Sequence, residues 1–328
     1  MNTEAEYYKK INGNTIKCEL CPHNCTIKKG ETGLCQVRKN DNGTLYTKNY
    51  ASITSAGFDP IEKKPLYHFF PGSQIFSLGS YGCNFSCKFC QNWRISQKKP
   101  STKETLPEET VELARKKGVK SIAYTYSEPM VWFEYVKETS SLAKRYNIKN
   151  VLVTNGFINQ QPLEDLLPYI DAANVDLKSF RSQFYNKYSG GSLKPVKNTI
   201  KIMAKKIHLE VTTLLISGLN TSEKELKDLF GWLSDIDNEI PLHLSRYFPN
   251  YKMDRPPTKL SDMESAYRLA KKYLDYVYLG NIKSSKKNNT YCPQCGKLLI
   301  RRNIFNSKNK ITHKGKCPSC GKKIYGIF

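Results

Sequence analysis

The feature that most constrains this chain is a run of three cysteines, Cys83, Cys87 and Cys90, in the stretch Ser80-Tyr-Gly-Cys-Asn-Phe-Ser-Cys-Lys-Phe-Cys-Gln-Asn-Trp93. Their Cys-x3-Cys-x2-Cys spacing follows a short apolar segment, Gln74-Ile-Phe-Ser-Leu-Gly79, that reads as a strand. Thiolates are the ligands that iron–sulfur clusters normally take from protein. A [4Fe-4S] cube has four irons, so three thiolates leave one iron open to a small chelating molecule. Packing as small hydrophobes is the bland use of cysteine. Gly82, Asn84, Ser86 and Lys88 make this loop too polar for it.

All 11 cysteines fall into clusters, with Cys18, Cys21, Cys25 and Cys35 at one end and Cys292, Cys295, Cys317 and Cys320 at the other. In a reducing compartment such clustering argues for metal rather than disulfides. The C-terminal four form two Cys-Pro-x-Cys-Gly knuckles, the pattern of a zinc ribbon with four thiolate ligands. In each, the glycine permits a tight turn that points backbone N–H groups toward sulfur. The N-terminal four can hold structural zinc or an auxiliary iron–sulfur cluster, and with four thiols present His23 is a bystander. Residues 1–70 carry few apolar residues and many glycines and asparagines, so a metal staple would have to hold this module together. Within it, Asp41-Asn42-Gly43 signals a hairpin turn.

Residues 71–282 alternate strand and helix patterns, which predicts an α/β fold with a parallel sheet. Strands are expected at Ile75–Leu78, Ser121–Tyr126, Val151–Thr154, Ala173–Leu177, Leu209–Ile216, Leu242–Tyr247 and Tyr276–Leu279. One helix opens at Pro107-Glu-Glu and stops at Lys116-Lys-Gly118, and another follows Pro129 through about Arg145. Ser222-x2-Glu225 and Ser261-x2-Glu264 read as capping boxes of two later helices. Six β/α units and a closing strand suit a partial (β/α)6 barrel, whose site gathers at the C-terminal ends of the strands. Residues 283–290 read as a polar linker, and residues 283–328 as the basic ribbon.

The mean hydropathy of −0.56 and the lack of a long apolar run exclude a helical membrane span. The opening Met1-Asn-Thr-Glu-Ala-Glu has no apolar segment of signal-peptide type, so a cytoplasmic location is expected. The net charge is +23, and beyond Asp275 there are 12 Lys and Arg with no Asp or Glu. Such a tail favours nucleic acid or an acidic protein surface, unless it is simply a solvated lysine-rich face. Tyr291, Phe305 and Tyr325 are scattered rather than interleaved with the charges, which ranks a protein partner ahead of RNA. Neither a Ser–His–Asp order nor a phosphate-binding glycine loop occurs, leaving hydrolase and nucleotide-kinase readings without support.

The Cys-x3-Cys-x-aromatic-Cys pattern resembles the signature of the radical S-adenosylmethionine (SAM) superfamily, with Phe89 in the aromatic place where adenine packs. The resemblance implies that the open iron holds the amino and carboxylate groups of SAM. Thr125-Tyr-Ser127-Glu128-Pro129 stands where that superfamily has a Gly-Gly-Glu element receiving the SAM amino group, here without its glycines. Asn155 follows the next strand, and Asp176-Leu-Lys178 the one after. Two residues apart on a strand, Asp176 and Lys178 share a face. Lys178 can neutralise the SAM carboxylate, and Asp176 can meet a ribose hydroxyl or a cation. The apolar run ending at Gly218 can line the adenine. His243 and Arg246 are the last candidates for the cofactor site. On a regular strand they face opposite ways, and an isolated strand histidine also serves structural roles.

Over the whole chain, the carrying segments are Cys18-Glu-Leu-Cys-Pro-His-Asn-Cys25, Asp59-Pro-Ile-Glu-Lys-Lys-Pro-Leu-Tyr-His68, Gly82–Trp93, Tyr124-Thr-Tyr-Ser-Glu-Pro129, Ser245-Arg-Tyr-Phe-Pro249 and the terminal knuckles. They resemble the radical SAM enzymes of the AmmeMemoRadiSam system, related to pyruvate formate-lyase activating enzymes. The resemblance implies a cluster that reductively cleaves SAM to a 5′-deoxyadenosyl radical, which takes hydrogen from an unidentified substrate. It also implies Memo-like and Amme-type partner proteins and an electron donor such as ferredoxin or flavodoxin. Two alternatives stay open. One is a glycyl-radical enzyme activase; the other is a nucleic-acid-modifying or non-enzymatic RNA-binding protein that uses the basic ribbon.

Overall fold

The computed structural model describes residues 3–282, 286–303 and 307–328. Its largest sheet has eight strands: β1 (Ser55–Pro60), β2 (Gln74–Gly79), β3 (Ser121–Tyr124), β4 (Lys149–Thr154), β5 (Ala172–Asp176), β6 (His208–Leu215), β7 (Leu242–Arg246) and β8 (Val277–Gly280). They lie side by side in chain order. From β2 to β8 every neighbouring pair is parallel, while β1 runs antiparallel along β2. Parallel neighbours need a long crossover, and here each one carries a helix. These helices are α1 (Pro107–Lys116), α2 (Phe133–Arg145), α3 (Gln160–Leu166), α4 (Leu193–Lys206), α5 (Glu223–Ile236) and α6 (Leu260–Ala270). The fold is thus mixed α/β with a parallel central sheet, as the strand–helix alternation predicts.

Strand β6, His-Leu-Glu-Val-Thr-Thr-Leu-Leu, shows how the pattern works. Its alternate residues Leu209, Val211 and Leu215 join the main apolar core together with Val196, Ile200 and Met203 of α4. The intervening His208, Glu210, Thr212 and Leu214 turn to the opposite face, which carries the polar interior. There Glu210 accepts bonds from the backbone N–H of Tyr67 (2.9 Å) and His68 (2.7 Å), and from Nε2 of His208 (3.0 Å) and His243 (2.6 Å). Burial would raise its pKa, but the bonds from His208 and His243 hold the carboxyl well below the ordinary range. A buried carboxylate with four donors fastens the 65–69 segment across the N-terminal ends of the strands.

Helix ends are set partly by local and partly by distant contacts. Pro107 opens α1, and Glu109 accepts from the Leu106 N–H at 2.7 Å. Ser222 Oγ caps α5 by accepting from the Glu225 N–H at 3.4 Å. Only half of that expected box forms, because the Glu225 carboxylate is drawn to Ser179, Phe180 and Arg181. The box expected at Ser261-x2-Glu264 does not form at all, since α6 already begins at Leu260. A tertiary contact decides this start: Ser217 Oγ accepts from the Lys259 N–H (3.1 Å) and donates to Asp262 (2.6 Å).

The N-terminal residues build two small three-stranded sheets, Tyr8–Asn12/Thr15–Cys18/Thr26–Ile27 and Thr3–Glu4/Thr44–Thr47/Arg38–Asp41. Asn42 and Gly43 form the expected two-residue turn, both with positive φ, 51° and 86°. Ile16, Leu20, Ile27 and Leu45 share one apolar core with the central sheet. Strand β1, inside the stretch read as this module, hydrogen-bonds along β2 as an edge strand with alternating half-burial.

At the other end Thr290–Tyr291, Leu298–Arg302 and Ser307–Asn309 form a three-stranded sheet. It has its own apolar cluster with Tyr276 and Tyr278. It docks on the 65–70 segment, the Phe70 N–H donating to the Ile327 carbonyl at 2.7 Å and the Ile327 N–H to the His68 carbonyl at 2.8 Å. Lys283 to Ser285 of the expected linker, and Phe305, lie outside the described residues. Among the described residues no helix is long and apolar enough to cross a membrane.

Candidate active site

The three-cysteine loop leaves the C-terminal end of β2. A Cβ on Gly79 would come within 2.8 Å of the Thr125 carbonyl oxygen and 2.9 Å of the Tyr126 ring, so only glycine lets these strand ends approach so closely. The loop is pinned from both sides. Ser86 N–H donates to the Ser189 carbonyl and Lys88 N–H to that of Tyr188, each at 2.9 Å. Asn155 Nδ2 reaches Asn84 Oδ1 at 2.8 Å and approaches Cys83 Sγ at 3.7 Å. Cys90 Sγ lies 3.3 Å from Ser96 Oγ. Cys83, Cys87 and Cys90 line one cavity of about 330 Å³. That volume lies at the lower end of small-molecule sites, roughly 300–1,000 Å³.

The three sulfurs converge on this cavity without crowding. Among the described residues, only the four C-terminal cysteines place three or more ligand atoms all within 4.8 Å of one another. Three convergent thiols on one cavity are the donor set that an iron–sulfur cluster takes from protein, so the loop suits a cluster. Burial pushes the Cys87 thiol up to about 11 and Cys83 well above its ordinary value. Metal ligation must therefore displace protons that burial holds on these thiols.

Most residues expected from the sequence line the same cavity: Phe89, Ser127, Glu128, Asn155, Asp176 and Lys178. Glu128 follows β3 and is 3% exposed. Its Oε1 accepts from Thr154 Oγ1 (2.6 Å) and the Met130 N–H (3.0 Å), and its Oε2 from the Asn155 N–H (2.8 Å). Burial outweighs these donors and pushes its pKa up to about 7. Oε2, with one donor, keeps a lone pair free for a cation in the cavity. At the end of β5, Lys178 Nζ meets Asp176 Oδ2 at 2.9 Å. Burial opposes the Lys178 charge, but the Asp176 carboxylate and the Cys87 sulfur prevail and raise its pKa. Lys178 therefore keeps its charge beside the cysteine loop.

His243 and Arg246 are not brought into the cavity. Ser245 lines it instead, while His243 bonds Glu210 beneath and Arg246 Nε donates to the Thr258 carbonyl at 2.8 Å. Strand alternation separates the two candidates, as their spacing predicts. His23 donates Nε2–H to the Asn84 carbonyl at 2.7 Å.

One group was not anticipated as part of the site. Lys64, 3% exposed, lines the cavity with its Nζ 2.9 Å from Asp59 Oδ2 and 4.5 Å from the Tyr126 ring centre. Tyr126 Oη donates to the same Asp59 oxygen at 2.9 Å. Tyr126 also takes the left-handed conformation, φ 69°, in the turn where the resembling pattern has glycine. Its bond to Asp59 helps hold a backbone shape that costs about 1–2 kcal/mol for a residue with a side chain. The signal lay in Asp59-x4-Lys64, but it has meaning only once β1 is placed beside β2.

A model of the Radical SAM superfamily matches residues 78–233. The uncharacterized protein MJ0808 of Methanocaldococcus jannaschii is 44% identical over 330 residues, 98% of either chain. In the same organism, a protein whose name assigns it to the glycyl-radical enzyme activating enzymes is 28% identical over 213 residues, 62% of this chain and 80% of the relative. Among solved structures, Streptococcus suis SuiB bound to S-adenosylmethionine aligns with a TM-score of 0.51 at 15% identity. That alignment covers 67% of this chain and 53% of SuiB, and it is a likeness of fold. The matched family segment runs from β2 through the cysteine loop and the polar ends of β3, β4 and β5. By that match and that site, the chain belongs to the Radical SAM superfamily and is a radical SAM enzyme, of a kind that works with an iron–sulfur cluster and SAM.

Proposed function

We propose that this chain is the radical SAM component of an AmmeMemoRadiSam-type system. In this reading it acts in the cytoplasm with Memo-like and Amme-type partner proteins and an electron donor such as ferredoxin or flavodoxin. The observation that carries its chemistry is the convergence of Cys83, Cys87 and Cys90 with Glu128, Asn155, Asp176 and Lys178 on one cavity. Cys83, Cys87 and Cys90 hold the cluster. Glu128 and Ser127 take the amino end of SAM, Lys178 its carboxylate, and Asp176 a ribose hydroxyl. Phe89 and Leu214 lie against the adenine. When bound, a [4Fe-4S] cluster with SAM supplies one-electron cleavage to a 5′-deoxyadenosyl radical that takes a hydrogen atom from the substrate. The chain itself supplies position, charge and a cavity lined by these groups. The six β/α units in unbroken order support a partial (β/α)6 barrel around that cavity.

The C-terminal cysteines are proposed to hold zinc. Cys292 and Cys320 sulfurs are 3.6 Å apart, and those of Cys295 and Cys317 3.7 Å. A tetrahedron with Zn–S bonds of about 2.3 Å has edges of about 3.8 Å. This basic unit docks at the N-terminal ends of the strands, opposite the cavity, so nucleic acid bound there would not reach the site. Activation of a partner's backbone glycine is the second reading, and the relative named as an activating enzyme favours it. A glycine-centred EPR signal in a partner protein would single it out.

Anaerobically reconstituted, reduced chain is expected to release 5′-deoxyadenosine from SAM, and Cys87→Ala to release none. No release from the wild type, with or without partner proteins, together with unchanged iron in Cys87→Ala, would contradict the proposal.

A further inference from the structure

We propose that Cys18, Cys21, Cys25 and Cys35 hold a second iron–sulfur cluster rather than a zinc ion, set directly behind the loop that carries Cys83. The C-terminal unit shows what zinc spacing looks like in this chain, with four sulfurs all within 4.8 Å of one another. Among the described residues no other three ligand atoms approach so closely, so the N-terminal cysteines are not gathered around a single ion. They are nonetheless one group. Cys18, Cys21 and Cys35 are buried, Cys18 N–H donates to the Cys25 carbonyl at 2.9 Å, and Cys21 lies within electrostatic range of the other three sulfurs. This wider spacing is shared with Cys83, Cys87 and Cys90, whose family fixes their ligand as an iron–sulfur cluster.

A second observation points to an anionic group in the same place. Arg38 is 1% exposed, and its Nε is buried with no hydrogen-bond partner. Its Nη1 and Nη2 are used, by the Glu6 carbonyl at 2.7 Å and by Glu134 at 2.5 Å. Cys18 and Cys35 both lie within electrostatic range of this guanidinium. Metal-bound thiolates are anions whose sulfurs accept hydrogen bonds, and a buried guanidinium complements their charge. A buried guanidinium within range of Cys18 and Cys35 suits thiolate ligands there, and the sulfur spacing argues for several irons.

Four thiolates would close every iron of a cube, so this cluster has no open position for SAM. Its place is fixed by contact with the catalytic loop. A Cβ on Gly82 would lie 2.8 Å from the Cys35 carbonyl oxygen, and Gly82 has φ 91°, so glycine is required where the two sites abut. His23, between Cys21 and Cys25, bonds the carbonyl of Asn84, so residues on both sides of Cys83 touch the N-terminal group.

The test counts iron, sulfide and zinc in full-length chain reconstituted anaerobically with iron and sulfide. In the triple variant Cys83→Ala, Cys87→Ala, Cys90→Ala the N-terminal group is intact. It should keep about half the wild-type iron and sulfide, and a reducible cluster signal by EPR that SAM does not alter. The double variant Cys21→Ala, Cys25→Ala should lose the other half and still bind SAM. A triple variant without bound iron, or one with a second zinc in its place, overturns the proposal whether or not the double variant folds. Release of 5′-deoxyadenosine by the wild type is read separately, so failure here leaves the reading of the central site standing.

Discussion

The two ends of this chain each gather four cysteines, and they do so in opposite ways. At the C-terminus each knuckle closes on itself, the Gly296 N–H donating to the Cys292 carbonyl at 2.9 Å and the Gly321 N–H to that of Cys317 at 3.0 Å. Both glycines have positive φ, and the sulfurs are drawn to the separation that one tetrahedral ion needs. At the N-terminus Cys18 ends a strand and Cys21 and Cys35 lie in turns; the group is mostly buried, with the Cys35 carbonyl against Gly82 and His23 bonded to Asn84 of the catalytic loop. Sequence spacing alone makes both ends look like metal staples. The local turns and the sulfur separations distinguish a self-contained knob from a group that shares a wall with the active site.

The largest effect that would sharpen this contrast comes from the C-terminal end. Cys317→Ser should abolish zinc binding, and since structural zinc sites contribute about 10–16 kcal/mol of apparent binding energy, residues 291–328 should become protease-sensitive. Release of 5′-deoxyadenosine should persist, because the unit packs on the N-terminal ends of the strands. Loss of SAM cleavage along with the zinc would break the contrast. A smaller effect is expected in the cavity. Lys178→Met removes a charge-assisted bond worth about 1.5–3 kcal/mol, so SAM affinity should fall by roughly 10- to 150-fold with iron content unchanged. An affinity within about twofold of wild type would exclude Lys178 from the SAM site.

The smallest effect is a pH dependence. Burial raises the Glu128 pKa from 4.5 to about 7, so the folded chain binds this proton more tightly than the unfolded chain does. The resulting stability is fully present below the unfolded value and is lost as pH rises through about 7. An amino group that donates N–H to this carboxylate favours the ionised form, so SAM affinity should rise by about tenfold from about pH 6 to about pH 8. Glu128→Gln should flatten that profile, and an unchanged slope in the variant would assign the proton elsewhere.

What could be read from the sequence was what is local. The cysteine spacings, the Asn42-Gly43 turn and the parallel strands depend on neighbours in the chain, and the structure has them close to the expected bounds. Strand β1 escaped because its pattern is that of a half-exposed edge, and its partner β2 begins only after a loop. With β1 unplaced, the Asp59–Lys64–Tyr126 group could not be seen as part of the cavity. His243 escaped for the same reason in reverse: its partner Glu210 lies on the adjacent strand, and nothing in the local sequence signals that bond. The Ser261 box failed because Ser217, far away in sequence, sets the start of α6.

The most direct test of the central claim is EPR of the reduced chain with and without SAM. The claim is that the open iron sits on Cys83, Cys87 and Cys90. SAM should shift the cluster signal of the wild type and of Cys21→Ala, Cys25→Ala, and should leave the triple variant Cys83→Ala, Cys87→Ala, Cys90→Ala unaffected. A SAM-sensitive signal that survives in the triple variant would place the open iron elsewhere and contradict the account.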